Sequence, residues 1–283
     1  MINTIKNIVY IKPINWILAH ILRSIKGYRL PINFTITYDN NLKLLSNPTS
    51  VVCKKIFYER DFEYTPIIRK LFKVSEISTF FDVGANIGYY SIMAAKYGVR
   101  TYAFEPNDEI RLWLQDCIWE NNSNLRNHIS VLKTAMSNAS NQKMVFYEKK
   151  NKRFPNIPSL SGISGFYCYK GKEKAVMTDT LDEFCKRRAC APGLIKIDVE
   201  GADPLVLQGA EKLMEKERPI FIVEYKRNEV AILQAFKGKK YVPYGHVNGK
   251  LVKYKSGNST PFVEDMFFFP KEKVYLVNSL NKV

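Results

Sequence analysis

Long apolar runs are missing from this sequence, and so are paired cysteines and abundant histidine. The longest apolar stripe, Ile14, Ile17, Leu18, Ile21, Leu22 and Ile25, is broken up by Lys12, Pro13 and His20. It falls short of the about 20 apolar residues that span a bilayer. It also lacks the layout of a secretory signal and has no small-residue cleavage site. The five cysteines, Cys53, Cys117, Cys168, Cys185 and Cys190, are odd in number, and none lies in a C-x-x-C pair. Three histidines in the whole chain are too few for a zinc site with such cysteines. This cysteine usage fits a reduced, cytoplasmic protein. Internal repeats and low-complexity tails are absent. Acid is scarce relative to base: 27 Asp and Glu against 43 Lys and Arg leave a net charge of +16. The lysines are spread along the chain, often beside asparagine, so compositional bias explains the charge as well as a polyanionic partner does. Acidic glycans, lipid-linked sugar phosphates, anionic membrane and nucleic acid all stay open.

What is present is enough apolar residue, 46% of 283, for a substantial core. One stretch organises it. Thr79-Phe80-Phe81-Asp82-Val83 suits a buried strand, and Gly84-Ala85-Asn86-Ile87-Gly88 follows as a tight loop. Ile87, Tyr90, Met93, Ala94 and Tyr97 then recur at helical spacing, with Gly98 placed to stop the helix. Strand, glycine loop and helix start together make a ligand cradle. A dinucleotide prefers G-x-G-x-x-G, because its pyrophosphate lies on backbone N–H groups. Here the pattern is D-x-G-x-x-x-G, and Asp82 would repel a pyrophosphate. S-adenosylmethionine (SAM), with a sulfonium, an ammonium and no phosphate, suits it better; an ordinary βα turn is the plain alternative. A second strand, Arg100 to Phe104, ends in Glu105. An acid roughly 20 residues beyond the loop is where such sites hold a ribose diol, which SAM also carries.

The remaining segments alternate. Residues 33–58 read as short strands with a turn at Asp39-Asn40-Asn41, and 62–73 as a helix. Pro106 and Asn107 open a further helix, Asn107 as N-cap. A third strand is expected over Ile129 to Thr134, and Ala135 and Ser137 beyond it are candidates for the adenine edge. Met144 to Tyr147 reads as one strand of an inserted hairpin. Residues 149–172, rich in Lys, Asn, Pro, Ser and Gly, have the length of a substrate lid. Thr180-Leu181-Asp182-Glu183 fits a capping box. Leu194-Ile195-Lys196-Ile197 is an apolar strand that carries a lysine and ends in Asp198 and Glu200. Asp203-Pro204 follows as N-cap and first helical residue. In a parallel α/β sheet such a strand end faces the ligand, and buried charges there need partners.

FDVGANIGYYS (81–91), AFEPN (103–107), TDTLDEF (178–184) and IKIDVEGAD (195–203) resemble the FkbM-type SAM-dependent methyltransferases; VEY (223–225) and DMFFFPKE (265–272) also fit. The resemblance covers about residues 58–270, and the first and fourth segments in this order are its specific part. The acid Asp203 stands where family members more often carry a glutamate. The resemblance implies an α/β, Rossmann-like class I methyltransferase fold: a mostly parallel twisted sheet, helices on both faces, and an antiparallel C-terminal strand. Residues 58–283 would form that domain and 1–57 an N-terminal extension with an amphipathic helix and short strands. The implied activity is methyl transfer to oxygen, in this family commonly a sugar hydroxyl of a surface polysaccharide, glycolipid or secondary metabolite. By the same analogy Asp82, Gly84, Ala85, Asn86 and Gly88 carry the methionine part of SAM. Glu105, Pro106 and Asn107 hold the ribose side, and Asp198 sits near the sulfonium.

A sugar hydroxyl must lose its proton as it attacks, so a base is expected within hydrogen-bond reach. Asp198, Glu200, Glu224 and His246 are the candidates, with His246 in a polar Tyr-Gly-His-Val-Asn-Gly turn. A divalent metal bridging Asp198 or Glu224 to the acceptor diol is another route. Two competing functions carry weight. One is ribose 2′-O-methylation of RNA, which Lys196, Asp198 and Glu224 partly echo, although no recognition module is visible. The other is a non-catalytic SAM-binding protein. Residues 12–28 pack on the body, lie on the inner face of the membrane, or meet a second copy. If they lie on the membrane, the protein sediments with anionic liposomes and salt releases part of it. A deletion that starts after Tyr28 then stays soluble. Aggregation of the deletion would show that the stripe belongs to the core.

Overall fold

A computed structural model describes residues 34–39, 41–46, 64–148, 172–225, 228–254 and 265–282. All of them belong to the unit that spans residues 34–283. The expectations for the helix at 12–28, for the lid over 149–171 and for Cys53 and Cys168 lie outside the described residues.

The hairpin of β1 (Phe34–Tyr38) and β2 (Leu42–Ser46) comes first, then α1 (Thr65–Leu71). The central run is β3 (Thr79–Val83), α2 (Tyr89–Lys96), β4 (Arg100–Phe104), α3 (Asp108–Trp119), α4 (Ser123–Arg126) and β5 (Ile129–Leu132). The strands β6 (Ala135–Met136), β7 (Lys143–Glu148) and β8 (Lys172–Asp179) form a small separate sheet. The main sheet resumes with α5 (Leu181–Arg188), β9 (Leu194–Ile197), α6 (Asp203–Gln208), α7 (Glu211–Lys216) and β10 (Ile220–Glu224). It closes with α8 (Glu229–Phe236), β11 (Tyr241–Val247), β12 (Lys250–Lys253), β13 (Asp265–Pro270) and α9 (Tyr275–Leu280).

The main sheet runs β12-β11-β13-β10-β9-β3-β4-β5. Strands β5, β4, β3, β9 and β10 pair in parallel, and β13 enters antiparallel between β10 and β11. This is the Rossmann-like class I methyltransferase fold that the motifs imply. The chain moves outward from β3 through β4 to β5, and in the opposite direction from β9 to β10. The sheet order therefore reverses between β3 and β9, and a ligand binds at the carboxyl edge of such a reversal.

Both faces of the sheet are covered, so its strands are apolar nearly throughout. Phe80, Leu194, Ile220, Ile222, Phe267 and Phe269 face the core under α1, α2 and α3. Phe81, Ile195, Ile197, Phe221, Val223 and Phe268 face the core under α5, α6, α7 and α8. The β1–β2 hairpin joins the first core through Tyr38, Leu42 and Leu44. Leu45 O accepts from Trp113 Nε1 at 2.9 Å, and Asn121 exchanges hydrogen bonds with the Lys43 backbone.

Local chemistry sets the helix ends. Asn107 caps α3, its Oδ1 accepting from the N–H groups of Glu109 and Ile110. Thr180 caps α5 through Glu183 N at 3.1 Å. Gly98, with φ of 76°, follows the end of α2.

Three local expectations change. The third strand stops at Leu132, level with Phe104 at the end of β4, where its partner runs out; Ala135 and Met136 pair with β8 instead. Asp203 is the first residue of α6 and does not cap it; its carboxylate accepts from Val199 N and Gly201 N and closes the preceding turn. His246 lies within β11, buried, and not in a turn. The turn is Asn248-Gly249, both with positive φ, the two-residue connection that β-hairpins favour.

One close approach ties the organising loop to β9. Gly84 has φ of +83°, and a β-carbon built on it would lie 1.9 Å from Asp198 O. Gly84→Ala therefore combines a left-handed backbone with overpacking. It should destabilise the fold by about 2–4 kcal/mol, read as a lower denaturant midpoint at unchanged slope.

Candidate functional site

The carboxyl edge between β3 and β9 is built from the glycine loop outward. Its N–H groups are already committed. Gly84 N and Ala85 N donate to Phe104 O, Asn86 N to Glu105 Oε2, Ile87 N to Asn86 Oδ1, and Gly88 N to Ala85 O. Five successive donors are spent inside the protein, so this loop offers no cradle for a pyrophosphate. The dinucleotide reading loses its physical basis here.

Carboxylates gather around the loop. Glu105, at the end of β4, is buried; Oε1 accepts from Asn107 N at 3.0 Å and Oε2 from Asn86 N at 3.1 Å. Each oxygen keeps a further lone pair, so a ribose diol can still donate to it. Burial pushes the Glu105 carboxyl up to about 7, against the pull of those two N–H donors. Asp82, on β3, is buried beneath α2 and accepts from Ser91 Oγ at 2.6 Å. Burial raises its carboxyl too, opposed by the Lys196 charge and the Ser91 hydrogen bonds.

Lys196 places a buried cation at this edge. It lies opposite Asp82 across β3 and β9, is 3% exposed, and its Nζ meets Asp198 Oδ2 at 2.8 Å. Burial lowers its ammonium, yet the charges of Asp198, Asp265 and Asp82 outweigh that and hold it above its ordinary value. The Tyr90 ring lies 5.4 Å from Nζ. The Asp198 side chain is 39% exposed, so one carboxylate is both braced and accessible. Beyond it the chain turns sharply: Glu200 has φ of 54° and Gly201 of 104°. Asp203 holds this turn from one side, and Asn228 Nδ2 donates to Gly201 O at 2.9 Å. A non-glycine residue at positive φ costs about 1–3 kcal/mol, and such strain clusters at functional sites.

Strand parity extends the polar row. Asp82, Lys196, Glu224, Asp265 and His246 all fall on the α1/α2 face of the sheet, with Glu224 and Asp265 direct cross-strand partners. Tyr64, just before α1, donates to Asp265, stacks on Tyr90 at 6.0 Å and meets the His246 ring edge-on at 6.3 Å. Ala135 and Ser137 are buried past the end of β5; Ser137 N donates to Asp179 O, and Ala135 packs with Val176. Pro106 is half-buried between Glu105 and Asn107. Among the described residues no group of three or more His, Cys, Asp or Glu is gathered to hold a metal ion.

The edge therefore joins Asp82, Gly84, Asn86, Glu105 and Asp198, and carries His246 and Glu224 on the same face. Sequence reasoning missed Ser91, Tyr64, Tyr90, Asn228 and Asp265. Asp265 had a signal: an acid at one end of an all-apolar strand, as at Asp82 and Asp198. The tyrosines had none.

A carboxylate-lined edge without free N–H donors suits a cation with a diol, which SAM is. The profile of the methyltransferase FkbM domain matches residues 82–253, more than half of the chain. The chain belongs to the FkbM methyltransferase family. Solved structures similar to this FkbM-family chain include methyltransferase FkbM from Methylobacillus flagellatus KT. That pair shares 16% identity over 77% of this chain and 51% of the other, with a TM-score of 0.49. This chain thus spans about half the length of the Methylobacillus protein. A SAM-dependent methyltransferase from Agrobacterium tumefaciens shares 9% identity over 87% of this chain and 72% of its own, TM-score 0.49. The O-methyltransferase from Bacillus cereus, solved in complex with SAH, shares 12% over 74% and 81%, TM-score 0.41. No curated protein matches the chain.

Membership of the FkbM methyltransferase family makes Glu105 testable with SAM as the probe. Its charged form accepts the diol best, so SAM affinity should rise as pH climbs toward about 7 and level off above it. Glu105→Gln should bind SAM more weakly, by roughly 1.5–3 kcal/mol, with that pH dependence gone. Calorimetry across the range reads both; a mutant with wild-type affinity would remove Glu105 from the ribose.

Proposed function

We propose that this methyltransferase acts on a hydroxyl oxygen, that of a sugar in a surface polysaccharide, glycolipid or secondary metabolite. The observation that carries the reading is Asp198, with Oδ2 braced by buried Lys196 while the side chain stays accessible at the reversal of the sheet. SAM supplies a methyl on a positively charged sulfur, which an acceptor oxygen takes in line with the C–S bond as the bonding pair returns to sulfur.

The chain's own residues do the rest. Glu105 accepts from the ribose diol. Asp82 and the loop Gly84, Ala85, Asn86 and Gly88 shape the methionine side, while Ala135 and Ser137 border the adenine. Asp198 lies between donor and acceptor and takes the hydroxyl proton at its carboxylate. It pairs an accessible charge with a position fixed by Lys196. His246 is buried against Tyr64, and Glu224 lies beside Asp265. Much of the rate then comes from positioning, since in-line geometry must be held.

The sugar part of the reading draws on the family's association with glycan hydroxyls. A lipid-linked acceptor would also suit a cytoplasmic protein that meets the inner face of the membrane through residues 12–28. Among the described residues no helix is long and apolar enough to cross a membrane.

Purified protein given methyl-labelled SAM together with free glycans or with RNA separates the alternatives. Label in glycan is expected. Label in RNA would replace the sugar with a ribose 2′-hydroxyl, and label in neither would favour a binding protein. On the acceptor so found, Asp198→Asn should lower turnover by about 100-fold or more while the melting curve holds. Near wild-type turnover would move the base to Glu200 or Glu224.

A further inference from the structure

A lysine buried in the middle of an apolar strand is an expensive choice for a core, and a leucine would fill the same space. Lys196 sits in such a strand, Leu194–Ile197, whose other three side chains are fully buried. Its surroundings explain it. Three carboxylates converge on it from three different strands or strand ends: Asp82 from β3, Asp198 after β9 and Asp265 from β13. None of these elements is adjacent in sequence to another. Tyr90 covers the ammonium from α2, and Ser91 on the same helix holds Asp82. Asp265 is held in turn by Tyr64.

We propose that Lys196 is a positioning residue of the methyl-transfer site: anchored between Asp82 and Asp265, it fixes Asp198 Oδ2 at 2.8 Å and leaves Oδ1 for the sulfonium and the acceptor. Asp265 is the outer anchor, a residue with no direct contact to the methyl donor. The proposal rests on the reading of Asp198 as the charge shared between donor and acceptor.

Two consequences follow from the geometry. Without Lys196 the Asp198 carboxylate loses the contact that fixes Oδ2. Without the Asp265 charge Lys196 loses its outer anchor, and the hold on Asp198 loosens to a smaller degree. The other groups facing this set are Glu224 from β10, His246 from β11, Tyr64 and Tyr90 from the helix side, and Asp203 below the Val199–Gly201 turn. None of them changes in either variant.

The test needs no acceptor. SAM carries a positive sulfur and S-adenosylhomocysteine a neutral one, so the ratio of their affinities reads the charge at Asp198. Calorimetry on the full chain at neutral pH gives that ratio. Wild type should prefer SAM, and Asp198→Asn should abolish the preference. Loss of the Lys196 charge alone would favour the cationic ligand, so a fall in the preference reports lost positioning. Lys196→Met should lower the preference by about fivefold or more, and Lys196→Arg, which keeps the charge and changes the reach, should lower it too. The double variant Lys196→Met with Asp198→Asn should match Asp198→Asn alone, which assigns the loss to Asp198.

If Asp198→Asn keeps the wild-type preference, the reading of Asp198 fails and this proposal falls with it. If Asp198→Asn loses the preference but Lys196→Met and Lys196→Arg keep or raise it, Asp198 keeps its role and Lys196 is a structural counter-ion only. Should Lys196→Met not fold, Lys196→Arg decides alone: an unchanged preference overturns the proposal.

Discussion

The backbone carbonyl of Asp198 occupies the space that a β-carbon on Gly84 would need. The distance to such an atom would be 1.9 Å, so only glycine lets the two strand ends meet. Asp198 N also donates to Val83 O at 3.0 Å, which extends the β3–β9 ladder by one step into the loop. Through this contact the organising loop and the acid after β9 become one site. It also explains why the two segments are informative as a pair. A glycine loop alone makes a turn, and an acid after a strand alone makes a cap. Their backbone contact at the reversal of the sheet makes a place where a ligand held by one is presented to the other.

Electrostatics then selects the ligand. The loop has spent its N–H groups, so it cannot stabilise an anion as helix-start loops usually do. Asp82, Glu105 and Asp198 stand around it, with the Lys196 ammonium in direct contact with Asp198. Burial has raised the carboxyls of Asp82 and Glu105, which marks both as groups held at a cost in solvation. Perturbed acids gathered at a strand edge where the sheet order reverses point to function more than to structure. Among the described residues three carboxylates act on the Lys196 ammonium, a setting that suits a cationic cofactor.

Much of this was legible in the sequence, because the signals were local. Strand, glycine loop and helix are encoded within residues 79–98, and the caps at Asn107 and Thr180 are short-range hydrogen bonds. The acids at 82, 105 and 198 were likewise readable, since an acid that ends an apolar run is hard to explain as core; the antiparallel β13 came only through the family resemblance. What was not legible depends on register. Whether His246 belongs to a strand or a turn is decided by its pairing with Leu251 and the Asn248-Gly249 turn, not by its polar neighbours. Asp203 reads as a cap by position, but the turn before it presents two N–H groups that compete for the carboxylate. Tyr64 and Asp265 are 201 positions apart and meet only because β13 is inserted beside β10.

The two faces of the sheet divide the work of the fold. The face under α5 to α8 is apolar from Phe81 through Ile195 and Ile197 to Val223 and Phe268, and supplies stability without charge. The other face is apolar only in its lower part, at Phe80, Leu194, Ile222 and Phe267. One pleat further toward the carboxyl edge it becomes Asp82, Lys196, Glu224 and Asp265. Because side chains alternate with period two, a one-residue slip of β9 would bury Asp198 in the apolar face and expose an isoleucine to the acids. The charges therefore do more than await a ligand. By making a one-residue slip costly, they favour the pairing that brings Asp198 against Gly84, and so the chemistry of the site and the register of the sheet support each other.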